Sequence, residues 1–223
     1  MANPTRQTVT VSATAGADVT TVSSFNLSIN VASNLNRCLV LTFADGGTGR
    51  QISSASFNGK SFTQAIRGVE NDGNTGEVWY VVNPDVGTYN IAVILTTTST
   101  DRALVGAVSL YNVDQVNPVN TTARNTNTGS GITVSFTPSE DNCISVDAGH
   151  ENGNNAGSQG AGQTLIFKRS AGRSGGTSHK AVNNTASSMS WSGFQDGTVS
   201  SSYAVAVFQG SIPTGGSFLY NLI

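Results

Sequence analysis

Phe25-Asn26-Leu27-Ser28-Ile29-Asn30-Val31 decides the fold class. Four apolar residues alternate with three polar ones. Successive side chains on a β-strand point to opposite faces, so the stretch predicts a strand with one buried and one wet face. Ile132-Thr133-Val134-Ser135-Phe136 has the same pattern. Working outward, apolar and β-branched runs predict further strands at residues 8–11, 38–43, 78–82, 89–95, 104–111, 143–148, 164–168, 189–191 and 203–208. Phe57-Asn58-Gly59-Lys60-Ser61 carries the Asn-Gly pair whose positive φ angles suit a two-residue type I′ hairpin. Polar stretches at residues 45–51, 70–76, 121–131 and 151–162 read as loops. Helical periodicity is almost absent.

The strands recur in order on either side of residue 120. In the first half, residues 25–31 precede Asn36-Arg37-Cys38-Leu39-Val40-Leu41-Thr42-Phe43. In the second, residues 132–136 precede Asp141-Asn142-Cys143-Ile144-Ser145-Val146-Asp147-Ala148. Leu104-Val105-Gly106-Ala107-Val108-Ser109-Leu110 closes one half as Tyr203-Ala204-Val205-Ala206-Val207-Phe208 closes the other. Pseudo-repeats of about 8–118 and 121–212 follow, within a single all-β domain over residues 1–213. Two antiparallel Greek-key halves packed face to face would form a jelly-roll-like β-sandwich. Its core is expected to draw on Leu27, Ile29, Val31, Leu39, Leu41, Phe43, Ile91, Val93, Leu95, Leu104, Val108, Val134, Phe136, Ile144, Val146, Val205 and Val207. Trp79 and Tyr80 are adjacent, so only one of them can share a given face; the other should be exposed or at an interface.

Composition narrows the function classes. The 223 residues are 37% hydrophobic and 11% charged, with a formal net charge of −2. Soluble proteins average roughly a quarter charged residues. No basic footprint for phosphate neutralisation is present, so nucleic acid is not an expected partner. No apolar run reaches the roughly 18 residues of a membrane-spanning helix, and residues 1–7 lack the basic start and apolar stretch of a signal peptide. No membrane partner is expected, and synthesis is expected in the cytoplasm without export. Cys38 and Cys143 share no redox or zinc spacing; they are read as free thiols, because a core of this size needs no disulfide staple.

Candidate chemistry is sparse. His150 and His179 are the only imidazoles for a nucleophilic triad. His150 lies close to Asp147 and Glu151 but lacks the second histidine of a zincin helix, and His179 follows a Gly-Gly-Thr-Ser stretch that reads as a solvated loop. Glu70-Asn71-Asp72-Gly73-Asn74-Thr75-Gly76-Glu77 is rich in oxygen donors suited to calcium, but an Asn-Asp-Gly turn explains it as well, and no ligands are assigned. Trp79, Tyr80, Trp191 and Tyr220 could stack on sugar rings, although aromatics on alternating strands more often fill cores. Trp191 shares a face with Met189 and is expected to point inward. No catalytic residue, metal site or cofactor is expected.

Residues 214–223 are the oddest segment. Thr214-Gly215-Gly216-Ser217 reads as a tether, and Phe218, Leu219, Tyr220, Leu222 and Ile223 are costly to leave in water. They are the candidate partner-binding residues: either a final strand closing the chain's own sheet edge, or an apolar arm that adds to a neighbouring subunit.

Three motifs carry a family likeness. Phe57-Asn58-Gly59-Lys60-Ser61-Phe62-Thr63, Glu77-Val78-Trp79-Tyr80-Val81-Val82-Asn83-Pro84-Asp85-Val86-Gly87-Thr88-Tyr89, and Val108-Ser109-Leu110-Tyr111-Asn112-Val113-Asp114-Gln115 resemble landmarks of a jelly-roll-like domain. That domain occurs in virion proteins of tailed bacteriophages and in bacterial surface proteins. The likeness spans most of residues 8–212, and its motifs specify shape rather than chemistry. Bacterial copies usually sit inside long exported chains, so this chain is expected to be a virion component made in the host cytoplasm. The resemblance implies a non-enzymatic structural protein, foremost a capsid decoration (cement) protein, with tail or fibre proteins next. Implied partners are the major capsid protein or tail components, and further copies in a homo-oligomer. A carbohydrate- or receptor-binding module of a tail fibre or cell surface is the alternative, with a glycan as ligand.

Overall fold

The computed structural model describes residues 5–20, 22–46, 49–69, 73–98, 102–128, 131–151, 157–169, 174–193 and 200–213. The chain is all-β, built from packed antiparallel sheets as the alternating pattern requires. The first nine strands are β1 (Thr10–Thr20), β2 (Ser24–Val31), β3 (Cys38–Asp45), β4 (Ile52–Phe57), β5 (Lys60–Ser61), β6 (Thr63–Val69), β7 (Thr75–Val82), β8 (Gly87–Leu95) and β9 (Arg102–Tyr111). They form a five-stranded sheet, β1-β9-β3-β7-β6, and a four-stranded sheet, β2-β8-β4-β5. The remaining strands are β10 (Val119–Asn127), β11 (Gly131–Phe136), β12 (Cys143–Glu151), β13 (Ser158–Gln159), β14 (Thr164–Arg169), β15 (Gly175–Val182), β16 (Ser187–Ser192) and β17 (Ser201–Phe208). They form a five-stranded sheet, β10-β17-β12-β15-β14, and a three-stranded sheet, β11-β16-β13.

The five-stranded sheets lie against each other at the centre and the smaller sheets cover their outer faces, giving four layers. Three apolar clusters fill the gaps. Along β3, Leu39, Leu41 and Phe43 enter the first outer cluster, while Cys38 and Val40 enter the central one. Along β17, Tyr203, Val205 and Val207 enter the second outer cluster, while Ala206 and Phe208 enter the central one. Both strands are therefore buried on both faces throughout their length. All seventeen expected core residues are buried. They are distributed among several layers, because alternation along a strand specifies two faces but not what covers each. Trp79 and Tyr80 do point to opposite faces. Trp79 packs in the first outer cluster, and Tyr80 meets Phe208 edge-on in the central one, with ring centroids 5.9 Å apart.

The central contact is unusually close. A Cβ on Gly76 would lie 2.5 Å from the carbonyl oxygen of Ala148, and one on Gly106 would lie 2.5 Å from Thr177 Oγ1. Ser202 Oγ donates to the Gly68 carbonyl at 2.7 Å, and Arg124 Nη1 to the Arg67 carbonyl at 3.0 Å, joining one five-stranded sheet to the other. Both five-stranded sheets also bulge at two places: between Val11 and Ala13 and between Gln64 and Ile66 in one, and between Val119 and Thr121 and between Leu165 and Phe167 in the other.

Two stretches read as loops are strands. Residues 119–127 form β10, an edge strand whose Asn and Thr side chains are largely exposed. Its pairing is a backbone matter and needs no apolar pattern. The Gly-Gly-Thr-Ser stretch lies in β15, where a Cβ on Gly176 would collide with the Trp191 indole and one on Gly175 with Leu104. Small residues here mark tight packing rather than solvent. The Asn-Gly hairpin forms as expected, with Asn58 and Gly59 at φ 46° and 81° and Phe57 paired with Lys60. Lys60 Nζ reaches Asp85 at 2.7 Å, so this hairpin docks on the Asn-Pro turn before β8.

Cys38 and Cys143 are free and buried. Each begins a strand, yet they face different clusters, Cys38 the central one and Cys143 the second outer one. Burial pushes both thiols up, Cys143 to about 11. A thiol reagent at pH 8 should therefore leave the native protein untouched and titrate both cysteines once it is unfolded; rapid native labelling would contradict this burial. Gly76→Val should cost about 1–3 kcal/mol by overpacking the central contact. At this chain length each kcal/mol lowers Tm by about 2–4 °C. Calorimetry should show that drop, with the exposed Asn26→Ser variant unchanged.

Candidate functional site

Two kinds of place could carry function: polar groups drawn into the layers, and apolar groups left outside them. Asp147 heads the first. It projects from β12 between the inner and outer sheets of the second half, with no exposed surface. Its carboxylate accepts from the Ser178 hydroxyl at 2.8 Å, Trp191 Nε1 at 3.2 Å and Gln163 Nε2 at 3.3 Å, and also from the Ser178 amide and the Tyr203 hydroxyl. Burial raises its pKa to about 7 against the lowering effect of these donors. The same burial, with Asp147 alongside, drives the Tyr203 phenol well above its ordinary value.

The first half has a comparable arrangement. Glu77, on β7, accepts from Trp79 Nε1 at 2.7 Å, the Ile52 amide at 3.0 Å, Arg67 Nη2 at 3.1 Å and Gln64 Nε2 at 3.2 Å. Burial raises its pKa, although Arg67 and the other donors oppose the rise. Asp45 and Arg50 form a fully buried ion pair at 2.7 Å, and the Arg50 amide also donates to Asp45. These carboxylates are enclosed and engaged with donors from their own fold. They tie neighbouring strands and layers together.

His150 is buried and packs on Gly46, where a Cβ would lie 2.0 Å from its ring. It lies three residues from Asp147, an odd interval that puts the two on opposite faces of β12. His179 is on β15 rather than in a loop, half-buried, with its pKa lowered by burial. Trp191 is buried as expected. Of the oxygen-rich stretch, residues 70–72 lie outside the described residues. Asn74 donates to the Ser200 carbonyl at 2.7 Å, and Glu77 already faces a guanidinium. Among the described residues, no group of three His, Cys, Asp or Glu side chains is placed to hold a metal ion. Phe218, Leu219, Tyr220, Leu222 and Ile223 lie outside the described residues.

The second kind of place is a groove of about 550 Å³ lined by Gln7, Leu35, Asn36, Asp114, Gln115, Val116, Ser211, Ile212 and Pro213. It lies where the β2–β3 and β9–β10 connections meet both ends of the described chain. Leu35 is 80% exposed, Val116 85% and Ile212 45%. The walls are held rigidly. Gln7 N–H donates to the Ser211 carbonyl at 2.9 Å, Ser211 N–H to Asn112 at 2.7 Å, and Asn112 N–H to Leu35 at 3.1 Å. Asp114 accepts from the Val116 and Asn117 amides and from Arg6 Nη1, each within 3.0 Å. Partial burial raises the Asp114 pKa, but those donors outweigh it and hold the carboxyl below its usual range. Exposed apolar side chains on a hydrogen-bonded frame, with its one acid paired, suit an apolar partner segment.

Sequence reasoning missed both the Asp147 network and the groove. Leu35 and Val116 are isolated apolar residues in turn-rich polar segments, Ser33-Asn34-Leu35-Asn36 and Asp114-Gln115-Val116-Asn117-Pro118, and that isolation is the available signal.

Comparison with protein-family models, curated proteins and solved structures returns no match for this chain.

The Asp147 network gives a pH dependence. Its folded-state pKa of about 7 lies above that of a free aspartate, about 3.9. Its stabilising contribution is therefore complete below about pH 4 and lost as the pH rises through 7. Melting scans from pH 4 to 8 should show a decline that Asp147→Asn flattens. A wild-type Tm that climbs with pH as a result of Asp147 ionisation would reverse the assignment.

Proposed function

We propose that this chain is a non-enzymatic structural protein of a bacteriophage particle, foremost a capsid decoration (cement) protein, acting by association with neighbouring subunits. The exposed apolar groove supports this most directly, because it lies beside the root of an apolar ten-residue tail. Exposed apolar clusters on an otherwise polar surface mark contact sites. The surrounding body suits such a role: four stacked sheets, low net charge, and buried acids engaged in holding layers together. The jelly-roll-like domain of phage virion proteins supplies the particular setting, with capsid or tail subunits as partners. Closed symmetry of two or three copies is the expected form of self-association.

One observation favours the alternative glycan-binding reading. Asn26, Ser28, Asn30, Thr88 and Asn90 lie on the exposed side of the β2–β8 pair, an uncharged face of amides and hydroxyls. A saccharide would meet a row of hydrogen-bonding groups there.

Native mass spectrometry of the full chain should give a closed homo-oligomer, and co-sedimentation should show binding to expanded phage capsids. Leu219→Asp with Leu222→Asp should leave a folded monomer. A monomeric wild type that binds a saccharide on an array and loses it in Asn90→Ala would overturn the decoration reading in favour of the glycan module.

A further inference from the structure

We propose that the groove at Leu35, Val116 and Ile212 receives residues 218–223 of a second copy of this chain, so that two copies exchange tails about a twofold axis. The inference rests on the association reading above and specifies the surface it uses. The described chain stops at Pro213, which itself lines the groove. Ten residues follow, none of them charged, and five of the last six are bulky and apolar. Thr214-Gly215-Gly216-Ser217 can span at most about 14 Å when extended, so whatever the tail reaches lies near its root.

The chemistry of the two surfaces agrees. The groove offers three exposed apolar side chains, and its acid, Asp114, is already paired with Arg6. It carries no unpaired charge that an apolar segment would have to desolvate. Most of the polar frame is occupied as well: Asn36 Nδ2 donates to Ser211 Oγ at 3.0 Å, Ser211 Oγ to Gln7 Oε1 at 2.7 Å, and Gln115 Nε2 to the Val113 carbonyl at 2.9 Å, while Gln115 Oε1 is buried without a donor. This frame offers nothing to pair with a charged ligand, and its open acceptor, Gln115 Oε1, suits a backbone N–H of an incoming segment. A second copy is favoured by contiguity. Because the tail's root forms one wall of the acceptor, two copies set root to root each place a tail at the other's groove, and the contact is self-complementary. Exchange covers both apolar surfaces of both chains at once.

The test uses two full-length variants with different affinity tags, Val116→Cys and Tyr220→Cys, mixed and gently oxidised. Cys38 and Cys143 are buried and do not compete. A disulfide-linked species carrying both tags is the expected product, and Leu222→Cys serves as a second tail position. A bond that forms only within the doubly substituted chain at high dilution would overturn exchange in favour of a tail folded on its own body. Independently, Leu35→Asp with Val116→Asp should weaken self-association at least about tenfold, with an unchanged Tm because both side chains are exposed. If the wild type is monomeric, exchange falls, and the association reading falls with it when the wild type also fails to co-sediment with expanded capsids. If it is oligomeric, and the tail variants dissociate it while the groove variants do not, the groove assignment falls and the association reading stands.

Discussion

Backbone-to-backbone contact between the two five-stranded sheets constrains the rest of the molecule. Where Gly76 passes Ala148 there is no room for a side chain, and Gly68 and Gly106 meet the opposing sheet almost as closely. Sheets normally pack about 10 Å apart, with side chains filling the gap. Here the gap is partly closed by deleting side chains, so sequence identity at a few glycines sets the spacing of the stack. It also explains the composition of the central cluster, which is mostly Val, Ala, Ile, Leu and Cys around one ring pair, Phe208 with the half-buried Tyr80. Large residues are concentrated in the outer layers, where Phe43, Phe57 and Trp191 fill wider spaces.

Covering both faces of the inner sheets has an electrostatic cost. Polar residues along their central strands are largely enclosed, and an enclosed carboxylate without partners would be strongly unfavourable. Asp147 and Glu77 meet that constraint alike, each accepting an indole N–H and several other donors, of which one reaches in from the outer sheet: Trp191 Nε1 to Asp147 and the Ile52 amide to Glu77. Asp45 and Arg50 meet it by pairing charge with charge. Such saturated networks penalise alternative registers, since a one-residue slip would move an acid to the opposite face. The low charge content is of a piece with this architecture: few charged residues can be accommodated when so much strand surface is interior.

Much of this was legible in the residues, and what was not has physical causes. Leu27-Ser28-Ile29 and Val134-Ser135-Phe136 alternate cleanly because their strands have one wet face, and the buried set follows directly. The fourfold layering was encoded more faintly, in the continuous apolar runs Cys38-Leu39-Val40-Leu41 and Tyr203-Ala204-Val205-Ala206-Val207, which signal strands covered on both sides. Strand β10 was hidden because an edge strand can be rich in Asn and Thr. Strand β15 was hidden because glycines excluded by neighbouring rings look like turn residues. Of the candidate site, the tail announced itself by composition. The groove depends on loops distant in sequence, Leu35 and Val116 being brought together by backbone hydrogen bonds that no periodicity describes.

Those loops also bring residues 7 and 211 into direct backbone contact. Chain ends that lie this close can often be joined without disturbing a fold. A covalent circle closed between residues 7 and 211, reopened in the 112–118 connection, would place the present second half ahead of the first in synthesis order. The stacked layers would be unaltered, since none of their strand pairings depends on which half the ribosome delivers first.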